Sequence, residues 1–174
     1  MGEEFNQKWE LWQIVGFLEK FGISASNSKK VFDALGANAI EKIEEDPYIL
    51  LDITYGVDFK KIDKMAMQIG ISAENNKRIA SGIKYSLILA GNNGNSTVLY
   101  ENLVSFVKDL LGIKQEYIEE EIINLKATQE IYIEEIDNKE WIYLSNFYVA
   151  EKNIAEGRYY TQEEVDRIFK EEWI

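Results

Sequence analysis

The 174-residue chain contains no cysteine, no histidine and a single proline. Without the thiol and the imidazole, the chain cannot form disulfide bonds, the usual zinc sites, thiol nucleophiles or the catalytic triads that depend on histidine. It also lacks a G-x-x-x-x-G-K-[ST] loop, the phosphate-holding loop of many ATPases. The sequence therefore predicts that this chain neither hydrolyses ATP nor binds a cofactor.

Long hydrophobic runs are also missing. No apolar stretch approaches the roughly 20 residues that a transmembrane helix needs. Met1-Gly2-Glu3-Glu4 lacks the basic start of a secretion signal. We expect a cytoplasmic protein without a membrane partner, whose hydrophobic content of 46% suffices for one large or two small domains.

Basic residues are scarce relative to acidic ones, and the formal net charge is −12. A negatively charged surface repels the phosphates of nucleic acid, and DNA-binding domains are accordingly usually basic. The excess acid lies almost wholly in residues 92–174, however, whereas residues 12–91 carry balanced charge. The charge distribution therefore leaves the first half of the chain open to a DNA partner.

What the chain does contain is a tandem repeat. Phe21-Gly22-Ile23-Ser24 and Tyr55-Gly56-Val57-Asp58 stand 34 positions apart, and each is followed at the same interval by a second glycine, Gly36 or Gly70. Ser and Asp are helix-capping residue types, and glycine after an apolar run ends a helix. Each copy therefore predicts a helix, a tight turn, a second helix and a glycine stop. Further residues match after the same shift: Val31 and Met65, Leu35 and Ile69, Lys30 and Lys64.

The repeat has two interpretations. A glycine turn that opens onto a helix can hold a phosphate on backbone amides, because no side chain blocks the approach. The alternative is a plain helix-turn-helix packing unit, and a helical solenoid would need about three or more copies. Lysines cluster after both turns, although they could also form an ordinary solvated face. The candidate DNA-binding residues are Gly22, Ile23, Ser24, Lys29, Lys30, Gly56, Val57, Asp58, Lys60, Lys61 and Lys64.

The second half has a different pattern. After the turn-forming run from Gly91 to Asn95 we expect a short strand at Thr97-Val98-Leu99, a helix ended by Gly112, a helix over residues 115–125 and a β-hairpin at Asp137-Asn138-Lys139. This order is typical of a winged helix. The predicted fold is mainly α, with a tandem helix-hairpin-helix domain in residues 1–91, a winged-helix-like module with a small β-hairpin in residues 92–156, and a terminal helix or linker toward a missing domain in residues 157–174.

The helix that would read DNA in such a module is acidic. Residues 115–125 contain four glutamates and no lysine or arginine. We therefore expect this helix to dock a protein or to pack within the fold, and not to bind DNA. Metal binding by Glu119-Glu120-Glu121 or Glu134-Glu135 is disfavoured, because adjacent carboxylates on one helix point in different directions and no turn residues with ligand spacing accompany either cluster. We expect these glutamates to form solvated faces. In the tail, Thr161 and Glu164 form a capping box ahead of an apolar stripe, Val165, Ile168 and Phe169.

Three stretches resemble a known family. Phe21-Gly22-Ile23-Ser24, the run from Asp46-Pro47-Tyr48 to Leu50, and the run from Gly56 to Asp63 are similar to the tandem helix-hairpin-helix region of RecD-like DNA helicases with a long amino-terminal extension, often named as the alpha chain of exodeoxyribonuclease V. Tyr143-Leu144 and the stretch from Tyr148 to Ala155 resemble the segment that leads toward the motor. The resemblance covers roughly residues 12–156.

This resemblance implies a non-catalytic accessory region of a 5′-to-3′ helicase in DNA recombination and repair. It implies that ATP and Mg²⁺ bind only in motor domains of the same polypeptide, which this chain lacks. The hairpins would contact the DNA backbone near a junction of single strand and duplex, or would support the motor. The second hairpin departs from the phosphate-binding pattern, since Asp58 stands where a second glycine is usual. The alternatives are a protein-interaction module that docks a basic partner on its acidic half and, less favoured, a mimic of DNA.

Overall fold

The computed structural model describes residues 2–54 and 56–146. It is mainly helical, with one small antiparallel sheet, and it divides into two compact units, residues 1–72 and 73–174. The sequence expectations for Tyr55, for the segment from Tyr148 to Ala155 and for the capping box and stripe of the tail lie outside the described residues. Among the described residues, no helix is both long enough and apolar enough to cross a membrane.

The first unit consists of helices joined by short turns. Helix α1 (Gly2–Glu19) is followed by α2 (Ala25–Leu35) and α3 (Ala39–Glu45). A 3-10 turn (Pro47–Ile49) then leads into the short α4 (Leu50–Ile53) and into α5 (Phe59–Gln68). The interior is mainly aliphatic, and its fully buried side chains include Ile14, Leu18, Ile23, Val31, Ile43, Leu50, Phe59, Ile62 and Met65.

The sequence repeat is also a repeat of backbone conformation. Gly22 and Gly56 both have a φ of +71°, and the closing glycines Gly36 and Gly70 have φ values of +72° and +98°. L side chains rarely adopt this region, which is why glycine stands at all four positions. The predicted order of helix, turn, helix and glycine stop is confirmed in both copies. The copies differ in their first helix, because α1 is long whereas the second copy uses only the 3-10 turn and α4.

The second unit combines three helices with the sheet. Helix α6 (Asn76–Asn92) precedes strand β1 (Thr97–Leu99), and helices α7 (Tyr100–Leu111) and α8 (Gln115–Ala127) precede strands β2 (Ile131–Ile136) and β3 (Lys139–Leu144). The strand order is β1-β3-β2, and both pairings are antiparallel. Asp137 and Asn138 have φ values of +53° and +58°, as a two-residue type I′ turn requires. The sequence placed the strand, both helices and the hairpin correctly.

Helix α6 packs as part of the second unit. The buried Arg78 at its start donates hydrogen bonds to the carbonyl oxygens of Ala73 (2.8 Å) and Leu111 (3.2 Å), which fastens α6 to the end of α7. Gly82 lies against Leu111 so closely that an added Cβ would stand 3.0 Å from its Cδ1 atom. By packing, the chain therefore divides after Ser72, ahead of the predicted boundary at Gly91.

Candidate nucleic-acid interface

The first hairpin turn connects α1 to α2 and closes on its own backbone. The amide of Gly22 donates to the carbonyl oxygen of Glu19 at 2.9 Å, and the amide of Ile23 donates to that of Leu18 at 3.1 Å. These two amides therefore already have acceptors within the turn. Because the first amides of any α-helix lack intrahelical acceptors, the donors left for a ligand at this hairpin are those in the first turn of α2.

The side chains of the two hairpin turns anchor them in the core. Ile23 is buried, and Val57, at the matching position of the second hairpin, is half-buried. Ile23 thus presents neither its side chain nor its amide to solvent, and its part in the turn is to hold α1 and α2 together. Gly22, Gly56, Ser24 and Asp58 are exposed, so these are the turn positions that a ligand can reach.

Each second helix begins at a capping side chain, as the sequence predicts. The Ser24 hydroxyl accepts a hydrogen bond from the amide of Asn27 at 3.4 Å, and the Asp58 carboxylate accepts one from the amide of Lys61 at 2.9 Å. The two caps differ in charge. An anion that approaches α2 meets a neutral cap, whereas one that approaches α5 meets a carboxylate, which makes the start of α5 the less favourable position for a phosphate.

A lysine of the second hairpin reaches the turn of the first. Lys61, in the first turn of α5, donates a hydrogen bond of 2.8 Å from its Nζ atom to the carbonyl oxygen of Gly22. Its ammonium lies so close that a Cβ added at Gly22 would stand 3.5 Å from Nζ. An ammonium has three donors, so one contact with Gly22 leaves capacity for an anion. The structure therefore places a positive charge from the second copy on the turn of the first.

The other candidate lysines are exposed on the second helices of the hairpins. Lys29 forms an ion pair with Asp33, one helical turn away, at 2.8 Å. An exposed pair of this kind is weak, so it partly offsets the charge of Lys29 without holding the side chain firmly. Lys60 and Lys64 lie on α5 with Lys61, and Lys64 follows Lys61 by three residues, which places them on adjacent turns of one face. Lys30 is exposed on α2.

The most specific stretches of the family resemblance meet in space. The Asp46 carboxylate accepts a hydrogen bond from the amide of Tyr48 at 3.2 Å and starts the 3-10 turn. Tyr48 donates its hydroxyl to Asp63 on α5 at 2.6 Å, and its ring stacks on that of Phe59 with centroids 5.9 Å apart. These contacts fix the first helical segment of the second hairpin against α5. The roles of these residues are therefore structural, and they position the second turn.

Helix α8 of the second unit carries the acidic face. Glu116 and Glu120 are exposed and Glu119 is half-buried. Tyr100, at the start of α7, has its pKa raised by burial and by the charges of Glu119 and Glu140, so carboxylates from α8 and β3 lie near one phenol. No cluster in the described ranges has the three or more acidic, histidine or cysteine side chains of a metal site.

The expectation that Glu121 belongs to a solvated face is wrong. Its side chain is 8% exposed, because it lies next to Ile122 on the inward side of α8. Asn124 donates a hydrogen bond to it at 3.2 Å. Burial, together with the nearby charges of Glu130 and Glu120, raises the pKa of this carboxyl, while Asn124 and Lys84 act in the opposite direction. Glu121 follows Ile118 by three residues and precedes Leu125 by four, so helical spacing, a signal that the sequence analysis did not use, places it on the apolar side of α8.

Sequence reasoning found the turn glycines, the caps and the lysines, and it missed how they are connected. The bond between Lys61 and Gly22 joins residues 39 positions apart, which no local pattern reveals. A comparison with known families identifies the region that contains the hairpins. Residues 7–97, more than half of the chain, match the family model described as the ATP-dependent RecD2 DNA helicase HHH domain. The matched region contains both hairpins.

Proposed function

The chain belongs to the family of the RecD2 helicase HHH domain, and we propose that it is a non-catalytic accessory region of a helicase that binds the DNA backbone through its two hairpins. The observation that carries the proposal is the hydrogen bond from Lys61 to Gly22. It brings a cation, the exposed first turn and the neutral start of α2 to one place. A backbone phosphate needs that combination of charge and amide donors.

In this proposal the two hairpins are not equivalent. The first supplies the amides of α2 and the uncharged cap Ser24, and Lys29 and Lys30 lie on the same helix. The second supplies Lys60, Lys61 and Lys64, while its carboxylate cap Asp58 keeps phosphate away from its own helix start. Contacts to about three to five phosphates give modest, sequence-independent binding that weakens with salt.

The finer assignments are also part of the proposal. Four of them follow from the resemblance to RecD-like helicases. The chain would bind close to a junction of single strand and duplex and would act in recombination and repair. It would be located in the cytoplasm, and motor domains in the same polypeptide would hold ATP and Mg²⁺. The second unit would be a winged-helix-like module. Its support is the order α6, β1, α7, α8 and hairpin, with a sheet in which β3 lies between β1 and β2.

A charge-reversal experiment tests the DNA proposal. Replacing Lys60, Lys61 and Lys64 together with Glu should abolish the fluorescence anisotropy change of labelled DNA at low salt, for duplex, single-strand and junction substrates alike. The matched control is Lys108→Glu, Lys114→Glu and Lys126→Glu, since these lysines are exposed in the second unit and their replacement changes the net charge equally. Equal losses in the two variants would show that overall charge, and not the hairpins, governs binding.

The acidic half supports a second candidate function. Glu116, Glu120 and Ile123 follow one another at helical spacing on one exposed face of α8, and Ile123 is 66% exposed. A cationic protein segment with one apolar side chain would fit this face, whereas DNA would be repelled. This alternative predicts that the wild-type chain fails to bind DNA at low salt, and that Ile123→Asp removes binding to a lysine-rich amphipathic peptide.

A further inference from the structure

Helix α1 is apolar on two opposite faces. Ile14 and Leu18 face the core and are buried. Phe5, Trp9 and Trp12 have 71%, 59% and 70% of their surface exposed. At about 100° per residue, the steps of four and three put these aromatic residues on one stripe, on the side of the helix away from Ile14 and Leu18. The first unit therefore leaves three large aromatic side chains on its surface in a row.

The stripe continues to a glycine. Gly16 follows Trp12 by four residues, it is exposed, and a Cβ added there would have no atom within 4 Å. Positions 5, 9, 12 and 16 are thus separated by four, three and four residues, a spacing that is the same in both directions along the helix. A two-fold dimer interface must be self-complementary in this way, because the same surface meets itself in reverse.

We propose that a second copy of this chain covers the stripe, with the two α1 helices antiparallel. In that register Phe5 packs into the gap over the partner's Gly16, and Trp9 packs against the partner's Trp12. All four positions of one helix then have a counterpart on the other. The α1 stripe, defined as Phe5, Trp9, Trp12 and Gly16, is the interface.

The gap at Gly16 favours the antiparallel arrangement. In a two-fold antiparallel pair each flank of the stripe faces the same flank of the partner, so the uncharged Asn6 and Gln13 meet across the seam. The other flank, with Lys8 and Glu19, meets its counterpart in the same way. A parallel pair would leave Gly16 opposite glycine, with nothing to fill the gap.

The area available indicates a weak, reversible dimer. Three aromatic side chains exposed to this degree present on the order of 400 Å² per copy, because each buries about 150–250 Å² when covered. Stable interfaces bury about 800 Å² per partner, so association in the micromolar range is expected. The dimer would carry two sets of hairpins, which would bind one DNA molecule more tightly than a single set.

Sedimentation over roughly 1–200 µM protein tests the association, since the expected affinity lies within that range. The mass should rise from 20.2 kDa toward twice that value. Trp9→Gln with Trp12→Gln should stay monomeric with an unchanged circular dichroism spectrum, because both side chains are exposed. Phe106→Gln, which removes an exposed aromatic residue from α7, should dimerise like the wild type. A wild-type chain that stays monomeric throughout would overturn the proposal and leave the stripe to a different partner.

Cross-linking tests the register. Because the chain has no cysteine, single cysteines can be placed by Phe5→Cys and Gly16→Cys and joined with a short bismaleimide. The mixture of the two variants should cross-link, whereas Phe5→Cys alone should not. In the antiparallel pair its two copies are separated by 11 residues of helix, about 16 Å. Efficient cross-linking of Phe5→Cys with itself would show a parallel pair and overturn the proposed register.

Salt separates this proposal from the DNA proposal. Each copy carries a net charge of −12, so screening should strengthen self-association. The same change should weaken DNA binding, because phosphate contacts are lost. Failure of one proposal therefore leaves the other measurable.

Discussion

Lys61 and Gly22 join the two hairpins, since the Lys61 ammonium donates a 2.8 Å hydrogen bond to the Gly22 carbonyl oxygen. The acceptor belongs to the turn of the first copy, and the donor belongs to the first helical turn of α5 in the second. The position of this cation is therefore fixed by the fold, whereas Lys60 and Lys64 are simply exposed on the same helix. This difference between neighbouring lysines is the basis of the first prediction.

Lys61→Met keeps the length of the side chain and removes the ammonium. We expect it to weaken DNA binding more than Lys60→Met, because the Lys61 charge is held beside the start of α2. Its cost in the free energy of unfolding should stay below about 1 kcal/mol, since the bond is exposed. Fluorescence anisotropy and urea unfolding measure the two effects. If Lys60→Met weakens binding as much, the contact with Gly22 has no special part in recognition.

The turn glycines should be sensitive to alanine. Gly22→Ala and Gly56→Ala each force a Cβ into a φ of +71°, and each should destabilise the first unit by roughly 1–2 kcal/mol. Gly16→Ala is the matched control, because Gly16 lies inside α1 with open space around it. There alanine should stabilise by about 0.5–1 kcal/mol. Urea unfolding in dilute solution distinguishes these outcomes, and a destabilising Gly16→Ala would contradict the helical assignment of this position.

The bond from Tyr48 to Asp63 should contribute to the stability of the second hairpin. Tyr48→Phe keeps the stacked ring and removes the hydroxyl, so the free energy of unfolding should fall by about 1.5–3 kcal/mol, the usual range for a hydrogen bond to a charged acceptor. Asp63→Asn keeps an oxygen acceptor and should cost less. A larger loss for Asp63→Asn would mean that Asp63 acts mainly through its charge, and not through this bond.

Glu121 should make stability depend on pH in the direction opposite to a typical surface carboxylate. Its pKa in the folded state is raised, mainly by burial, so the native state holds the proton more tightly than the unfolded state does. Its contribution to stability is complete below the ordinary carboxyl pKa and is lost as the pH rises through the raised value. Glu121→Gln should therefore be more stable than the wild type at neutral pH.

Measuring the stability difference between Glu121→Gln and the wild type in acid distinguishes an effect of ionisation from an effect of packing. The advantage of Glu121→Gln should shrink toward zero at about pH 4, where the wild-type carboxyl is largely protonated. Glu130 has its pKa lowered, because hydrogen bonds from Lys84 and Thr128 outweigh its burial, and it is present in both proteins. Thermal unfolding at the two pH values measures the difference. An advantage that is independent of pH would show that packing, and not ionisation, is responsible.

Local features of the fold were predictable from the sequence. The caps Ser24 and Asp58, the strand Thr97–Leu99 and the turn at Asp137 and Asn138 depend on neighbours in the chain, so residue type and spacing determine them. The repeat itself was visible because glycine stands at the four positions of positive φ in the two hairpins. The match to the family model agrees with that interpretation over residues 7–97.

Features that depend on distant parts of the chain were not predictable. The partner of Lys61 lies in another hairpin, 39 positions away along the chain. Trp9 and Trp12 lie on one side of α1 and Ile14 and Leu18 on the other, and helical spacing alone could not show which side the core would use. Periodicity identifies the faces of a helix, and tertiary packing decides which face is covered.

The hydrogen bond between Lys61 and Gly22 also bears on whether one hairpin can be studied by itself. A peptide of residues 2–36 lacks Lys61, so the carbonyl oxygen of Gly22 loses this partner. Phe59 and Ile62, two fully buried side chains of the first unit, also belong to the second hairpin. Dividing the repeat at its own period would therefore separate residues that the fold uses together.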